Sequence, residues 1–282
     1  MRAFGAVIEM NAPNTPYRPI LTAAARPSTF EVRAVDENGE ARATSIAGEH
    51  PLTLYIDKHE LLTIMTLGVA PEALAIGYLR NQRLLERIDD VVSVQVDWDV
   101  NAVAVTTRSG LKDLEAKTAK RTKTTGCGQG TVFGDLMDEI DSVRLPAGAT
   151  LTKAALYDLL EQVRLHETIY KQAGAVHGCA LAQGPEILMF VEDVGRHNAV
   201  DAIAGQMWLD GIDGADKIFY TTGRLTSEMV IKCAQMGIPF LVSRSGLTQM
   251  GYEVAQKVDI TMLGRATGKH YLLFTGKQRF TK

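Results

Sequence analysis

Cys127 stands in "KTAKRTKTTGCGQGTVFGDL" between Gly126 and Gly128, downstream of Lys117, Lys120, Arg121 and Lys123 with no intervening acid. The thiolate is the reactive form of cysteine, and neighbouring cations lower the thiol pKa. Glycines remove bulk and permit unusual backbone angles, so a sulfur in this setting can be approached closely. That combination suits a nucleophile or a carrier of sulfane sulfur. A turn cysteine beside a solvated basic stretch has the same local sequence, and these residues alone leave the two readings level.

Two other stretches carry polar groups where binding chemistry is expected. In "VEDVGRHNAVD", Glu192, Asp193, Arg196, His197, Asn198 and Asp201 crowd between an apolar strand and a helix. His197 or Asn198 would sit near the helix N-terminus, where backbone N–H groups attract anions, and Arg196 can pair with phosphate through two donors. An ion-paired turn with a helix cap is the plainer reading, and function is favoured because the preceding strand would be buried. "TTGRLTSEM" repeats the arrangement with Arg224, then Thr226 as N-cap and Glu228 in the first turn. Together the two turns suggest a phosphate-bearing ligand between them. His177, before a strand, reads by itself as structural. It lacks the cysteines and glutamate of a zinc deaminase, so no metal is expected. In "MLGRATGKHYLLFTG", Arg265, Gly268, Lys269 and His270 lie in a connection between strands that could cradle phosphate or be a solvated hairpin. Cys179 and Cys233 have core spacing and are expected to be buried and inert.

The elements that must position these residues follow from periodicity. Residues 1–28, with four prolines, read as a loosely ordered lead-in. "TFEVRAVDENGEAR", "PLTLYIDKHELLTIMTL" and "VVSVQVDWDVNAVAVTTR" read as strand pairs, and "APEALAIGYLRNQRLL" as a helix with Leu74, Tyr78 and Leu79 on one side. Residues 29–111 thus form an α+β unit, and 112–131 a basic linker with the cysteine loop. "TKAALYDLLEQVRLHETIYKQAG" reads as one amphipathic helix from an N-cap at Thr152 to a stop at Gly174. Strands then alternate with helices through residues 132–282, which points to a mixed α/β sheet covered by helices.

Composition excludes several classes. With 46% apolar and 22% charged residues, neither disorder nor a fibre is expected. A formal charge of −3 gives no global reason for nucleic-acid binding. No apolar run approaches the ~20 residues that span a bilayer, and the N-terminus shows no signal-peptide pattern. Three scattered cysteines argue against a disulfide framework. A cytoplasmic protein is expected.

"TTGCG" (residues 124–128), "GAVHGCAL" (174–181), "EDVGRHNAVD" (192–201) and "TTGRLTSEM" (221–229), in this order, resemble the formate dehydrogenase accessory sulfurtransferase family, FdhD/NarQ. The resemblance runs from about residue 49 to 276. It implies a cytidine-deaminase-like three-layer α/β/α domain preceded by a smaller domain, in a homodimer. It also implies a protein that takes sulfur from a cysteine desulfurase as a persulfide. That sulfur would pass to the molybdenum cofactor, bis-molybdopterin guanine dinucleotide, for formate dehydrogenase or a related molybdoenzyme. GDP or another guanine nucleotide would mimic the ends of this cofactor. Cys127 matches the persulfide cysteine. Arg265, Ala266, Thr267, Gly268, Lys269 and His270 match the cofactor-binding loop, and His177, Arg196, His197, Asn198 and Arg224 would line the shared site. There are departures. Gly130 stands where the family commonly has a second cysteine, Thr267 stands where it has an arginine, and "YLRNQRLL" replaces a more apolar segment.

Overall fold

The computed structural model describes residues 16–110, 122–123, 130–131 and 140–282. Two sheets organise them. The first has five strands in the order β1-β6-β7-β4-β5: β1 (Ile20–Leu21), β4 (His50–Ile56), β5 (His59–Thr66), β6 (Val91–Asp97) and β7 (Ala102–Thr107). Strands β2 (Thr29–Val35) and β3 (Ala41–Ala47) form a separate hairpin. Residues 16–28, expected to be loosely ordered, are instead tied to this first unit. β1 pairs with β6, Tyr17 Oη donates to Val91 O at 2.9 Å, and Ala24 N donates to Glu72 Oε1 at 2.8 Å. A two-residue strand is too short to announce itself by alternation.

The second sheet has six strands in the order β12-β11-β13-β14-β15-β16. These are β11 (His177–Gln183), β12 (Glu186–Asp193), β13 (Lys217–Thr221), β14 (Phe240–Ser243), β15 (Thr261–Thr267) and β16 (His270–Thr275). β12, β13, β14 and β15 point the same way, and β11 and β16 run antiparallel to them. One face packs on helix α2 (Lys153–His166) through Leu156, Leu159, Leu160 and Val163. The other packs on α4 (Arg196–Asp210), α5 (Ser227–Gln235) and α6 (Gln249–Lys257). The result is a mixed α/β architecture with the six-stranded sheet between helical layers.

α1 (Pro71–Asn81) joins the two units. Its apolar side was expected to be one stripe, yet every residue except Arg80 is buried. β6 and β7 cover one side and α4 the other. The helices approach closely enough that a methyl at Gly77 would overlap the Asp201 carbonyl oxygen and come within 2.6 Å of Gly205 N. α4 is buried on both sides in turn. Ala199, Val200 and Ile203 face the six-stranded sheet, while Ala202 and Leu209 belong to the core of the first unit.

The helix expected from Thr152 to Gly174 is two helices. Thr152 caps α2 by accepting from Ala155 N, and Gly174 ends α3 (Ile169–Ala173) with φ 77°. Between them, Glu192 accepts from Thr168 N and Oγ1 (both 3.1 Å), Ile169 N (2.8 Å) and Tyr170 N (2.9 Å). One carboxylate satisfies the donors of a new helix start, which makes the break favourable.

Candidate functional site

Strand direction decides which residues meet. The carboxyl ends of β12, β13, β14 and β15 and the start of β11 fall on one edge of the six-stranded sheet. In open α/β sheets ligands bind in the crevice at that edge. His177, Arg196 and Arg224 are placed there, and so is Arg244, which the sequence reading did not single out. Its signal was present: "LVSRSG" ends a strand with an arginine and a glycine, as "YTTGR" does.

The turns at this edge are stitched to one another. Ser243 Oγ donates to Gly223 O at 2.6 Å, Arg244 N to Thr221 O at 3.2 Å, Leu225 N to Gly246 O at 3.0 Å and Arg265 N to Ser245 O at 2.8 Å. Arg196, the first residue of α4, lays its stem across Gly223, where a Cβ would meet Arg196 Cδ at 2.5 Å. Glycine at 223 is therefore a packing requirement of the arginine.

The imidazole of His177 is half-buried, with Nδ1 3.3 Å from Thr222 Oγ1. Burial, then the charges of Arg196, Arg244 and Arg224, hold its pKa below the ordinary histidine value. A neutral imidazole near three guanidinium groups gives this edge a local positive field.

His197 and Asn198 part from this cluster. Asn198 Nδ2 donates to Met65 O and to Asp193 Oδ1, both at 2.7 Å. Asp193 Oδ2 accepts from Thr66 Oγ1 at 2.6 Å. These two residues fasten the second sheet to β5 rather than line an opening. His197 is buried beneath the edge with Nδ1 3.3 Å from Glu228 Oε1, and neither ring nitrogen makes a hydrogen bond. Below it, Lys232 Nζ meets Asp201 Oδ1 and Oδ2 at 2.9 and 2.8 Å and Glu228 Oε1 at 3.6 Å. Asn81 Nδ2 of α1 completes Asp201 at 2.7 Å. Glu228 lies in the first turn of α5 as expected and is also a member of a buried ion network.

The segment from Arg265 to His270 is mostly strand rather than connection. Arg265, Ala266 and Thr267 end β15, His270 begins β16, and only Gly268 and Lys269 form the turn. Ala266 is buried in the core against α2, and the other five are exposed. Lys269 O accepts from Tyr157 Oη at 3.1 Å, which leans this hairpin on α2. Cys127 lies outside the described residues. On either side of it in sequence, β8 (Thr122–Lys123) and β9 (Gly130–Thr131) pair antiparallel. Cys179 and Cys233 are buried as expected, and burial pushes the Cys179 thiol up to about 12 and Cys233 well above its usual value. Among the described residues no cluster of side chains could hold a metal ion, and no helix is long and apolar enough to cross a membrane. A cleft of about 570 Å³ opens at the opposite edge, near Arg80, Trp208 and Gln235, and contains none of the candidate residues.

Burial, followed by the charge of Lys232, holds His197 well below the ordinary histidine pKa. The folded state therefore resists protonation at His177 and His197, while the unfolded chain takes up protons as pH falls through about 6.5. The contribution to stability is full above that pH and declines below it, until the folded-state values are passed. The urea midpoint should fall between about pH 7.5 and about pH 5.5, and His197→Gln should reduce that fall. An equal fall in both proteins would remove His197 from this account.

A model of the FdhD/NarQ family matches residues 47–281. The sulfur carrier protein FdhD of Wolinella succinogenes is 29% identical over 231 residues, covering 82% of this chain and 80% of that protein. The protein of the same name from Listeria monocytogenes serotype 4b is 30% identical, covering 84% and 92%. A crystal structure described as a formate dehydrogenase accessory protein from Desulfotalea psychrophila superposes with a TM-score of 0.73, covering 90% of this chain and all of that one at 24% identity. That likeness bears on the fold alone. The matched span takes in β4 through β17 (Phe280–Thr281) and every strand-end turn of the cationic edge, and on that span the chain belongs to the FdhD/NarQ family.

Proposed function

We propose that the chain is a sulfur carrier that accepts sulfur as a persulfide on Cys127 and passes it to a phosphate-bearing molybdenum cofactor. The observation that carries this reading is the state of the other thiols. Cys179 and Cys233 are both buried with pKa values pushed up, so neither supplies a thiolate near neutral pH. That leaves Cys127, behind its run of lysines, as the residue to carry sulfur in a family whose relatives are named for that role.

In the first step the Cys127 thiolate attacks the outer sulfur of a cysteine desulfurase persulfide. The desulfurase S–S bond breaks, its cysteine leaves as thiolate, and Cys127 holds the sulfur through a new S–S bond. The arginines around His177 suit the phosphates of the acceptor, bis-molybdopterin guanine dinucleotide, and GDP would mimic its ends. Arg265, Thr267, Gly268, Lys269 and His270 form an exposed hairpin end that would approach the same ligand. Delivering the sulfur as sulfide consumes two electrons. With Gly130 where a second thiol would stand, they come from an external thiol or from the acceptor itself. The protein would act as a homodimer in the cytoplasm, between the desulfurase and formate dehydrogenase or a related molybdoenzyme.

Incubated with a desulfurase and sulfur-labelled cysteine, the wild type should acquire label that a thiol reductant releases. Cys127→Ala should acquire none, and Cys179→Ala should label normally. Equal labelling of wild type and Cys127→Ala would end the assignment. The glycine at 130 favours one other reading, a cofactor-binding chaperone without sulfur transfer. Full formate dehydrogenase maturation by Cys127→Ser in cells would establish that reading.

A further inference from the structure

We infer that Arg244 is a ligand-holding residue of the anion site and that Glu167 is its positioning residue. The inference rests on the anion-site reading above and adds to it a fourth strand-end contact and the device that aims it. Glu167 lies in the break between α2 and α3, is buried, and meets Arg244 Nη1 through Oε1 at 3.1 Å. The ring of Tyr170, in the first turn of α3, lies 5.3 Å from Arg244 Cζ. That turn is held by the four donors that Glu192 accepts. The arginine's own backbone is fixed by its N–H to Thr221 O. A helix is broken, capped by a remote carboxylate and ended by a left-handed glycine, and both side chains this delivers converge on one guanidinium.

The contact is incomplete as an ion pair. A guanidinium has five donors, and Glu167 engages it through one nitrogen, leaving the side chain 38% exposed. The carboxylate is buried while the guanidinium remains partly open to solvent. The charge of Arg244 nevertheless reaches the His177 imidazole, second only to Arg196 among the nearby charges. Arg224 also acts on that ring, and His197 lies close enough to interact with it. His177 Nδ1 lies 3.3 Å from Thr222 Oγ1 and Arg244 N donates to the adjacent Thr221 O, so an anion seated against His177 meets an arginine whose direction is fixed in advance, and such fixing reduces the entropy lost on binding.

The test is GDP binding by calorimetry at constant ionic strength, with the His177 ring titrated by NMR. The wild type should bind GDP saturably. Arg244→Gln should weaken binding about tenfold to a hundredfold, the range for losing a charge-assisted contact, and Arg244→Lys should fall between. Removal of the Arg244 charge should also raise the His177 pKa. Glu167→Ala should weaken GDP binding about threefold or more with Arg244 present and leave it unchanged in the Arg244→Gln background. A saturable wild type with affinity and His177 titration unchanged by Arg244→Gln would overturn the inference while leaving the anion site standing. Equal weakening by Glu167→Ala in both backgrounds would overturn the positioning role. A wild type that binds no GDP would instead sink the anion-site reading itself.

Discussion

Replacing Gly77 or Gly205 with alanine is expected to cost at least about 3 kcal/mol of stability, the upper range for forcing extra carbon into a packed core. The reason is local and steric. A methyl at Gly77 overlaps the carbonyl oxygen of Asp201, and one at Gly205 overlaps that of Ala73 and lies 2.8 Å from Gly77 N. Backbone, unlike the far end of a side chain, cannot rotate out of the way, so α1 and α4 would have to separate. Separation would lengthen the Asn81–Asp201 and Arg80–Ala204 hydrogen bonds, both 2.7 Å, and open the apolar contact between the two cores. Alanine's better helix propensity offsets only about 1 kcal/mol. Urea unfolding checks this, with Gly148→Ala as control because no atom lies within 4 Å of a Cβ built there. Variants within about 0.5 kcal/mol of wild type would mean that the helices do not cross this closely.

Lys232→Met is expected to cost about 3–5 kcal/mol, the range for removing one member of a buried ion pair. Lys232, Asp201 and Glu228 are all nearly inaccessible. The ammonium sits between two carboxylates, and burial already raises the Asp201 pKa against the lowering effect of Lys232. Without the lysine, Asp201 would retain Asn81 alone among these partners, and Glu228 would face a neutral imidazole. The loss should therefore shrink when the carboxylates are neutralised as well. Asp201→Asn and Glu228→Gln combined with Lys232→Met should recover a large part of the midpoint. If the triple variant is no better than the single one, the cost comes from packing rather than from uncompensated charge. Loss of the Lys232 charge should also raise the His197 pKa, since it is the largest nearby charge depressing it.

Alternation made β4 to β7 and β11 to β16 legible, because each strand buries one face or both within a short, regular run. The division of the "DVGRHNA" segment was not legible. Arg196, His197 and Asn198 are consecutive, so no spacing rule separates them. Yet successive side chains on a helix point about 100° apart, and here they meet the turn at Gly223, a buried network and a neighbouring sheet. The break at Glu167 was hidden for a related reason, since its cause, Glu192, lies about two dozen residues downstream. Arg244 carries no local signal beyond the likeness of its turn, "SRSG", to the turn at Arg224. Ala266 took its expected role from a resemblance, while its burial depends on β15 running through the position instead of ending before it.

β10 (Leu151–Thr152) runs parallel to β17, near the far end of the chain, with Leu151 opposite Phe280 and Thr152 opposite Thr281. Phe280 also packs edge-on against Tyr271, with ring centroids 5.2 Å apart. During synthesis these partners are separated by almost the whole second sheet. The pairing of β10 with β17 therefore waits for the residues as far as Phe280 to emerge, and contacts so distant in sequence slow the search for the native arrangement. Until then the Leu156–Val163 side of α2 lacks Phe280 at the margin of its core.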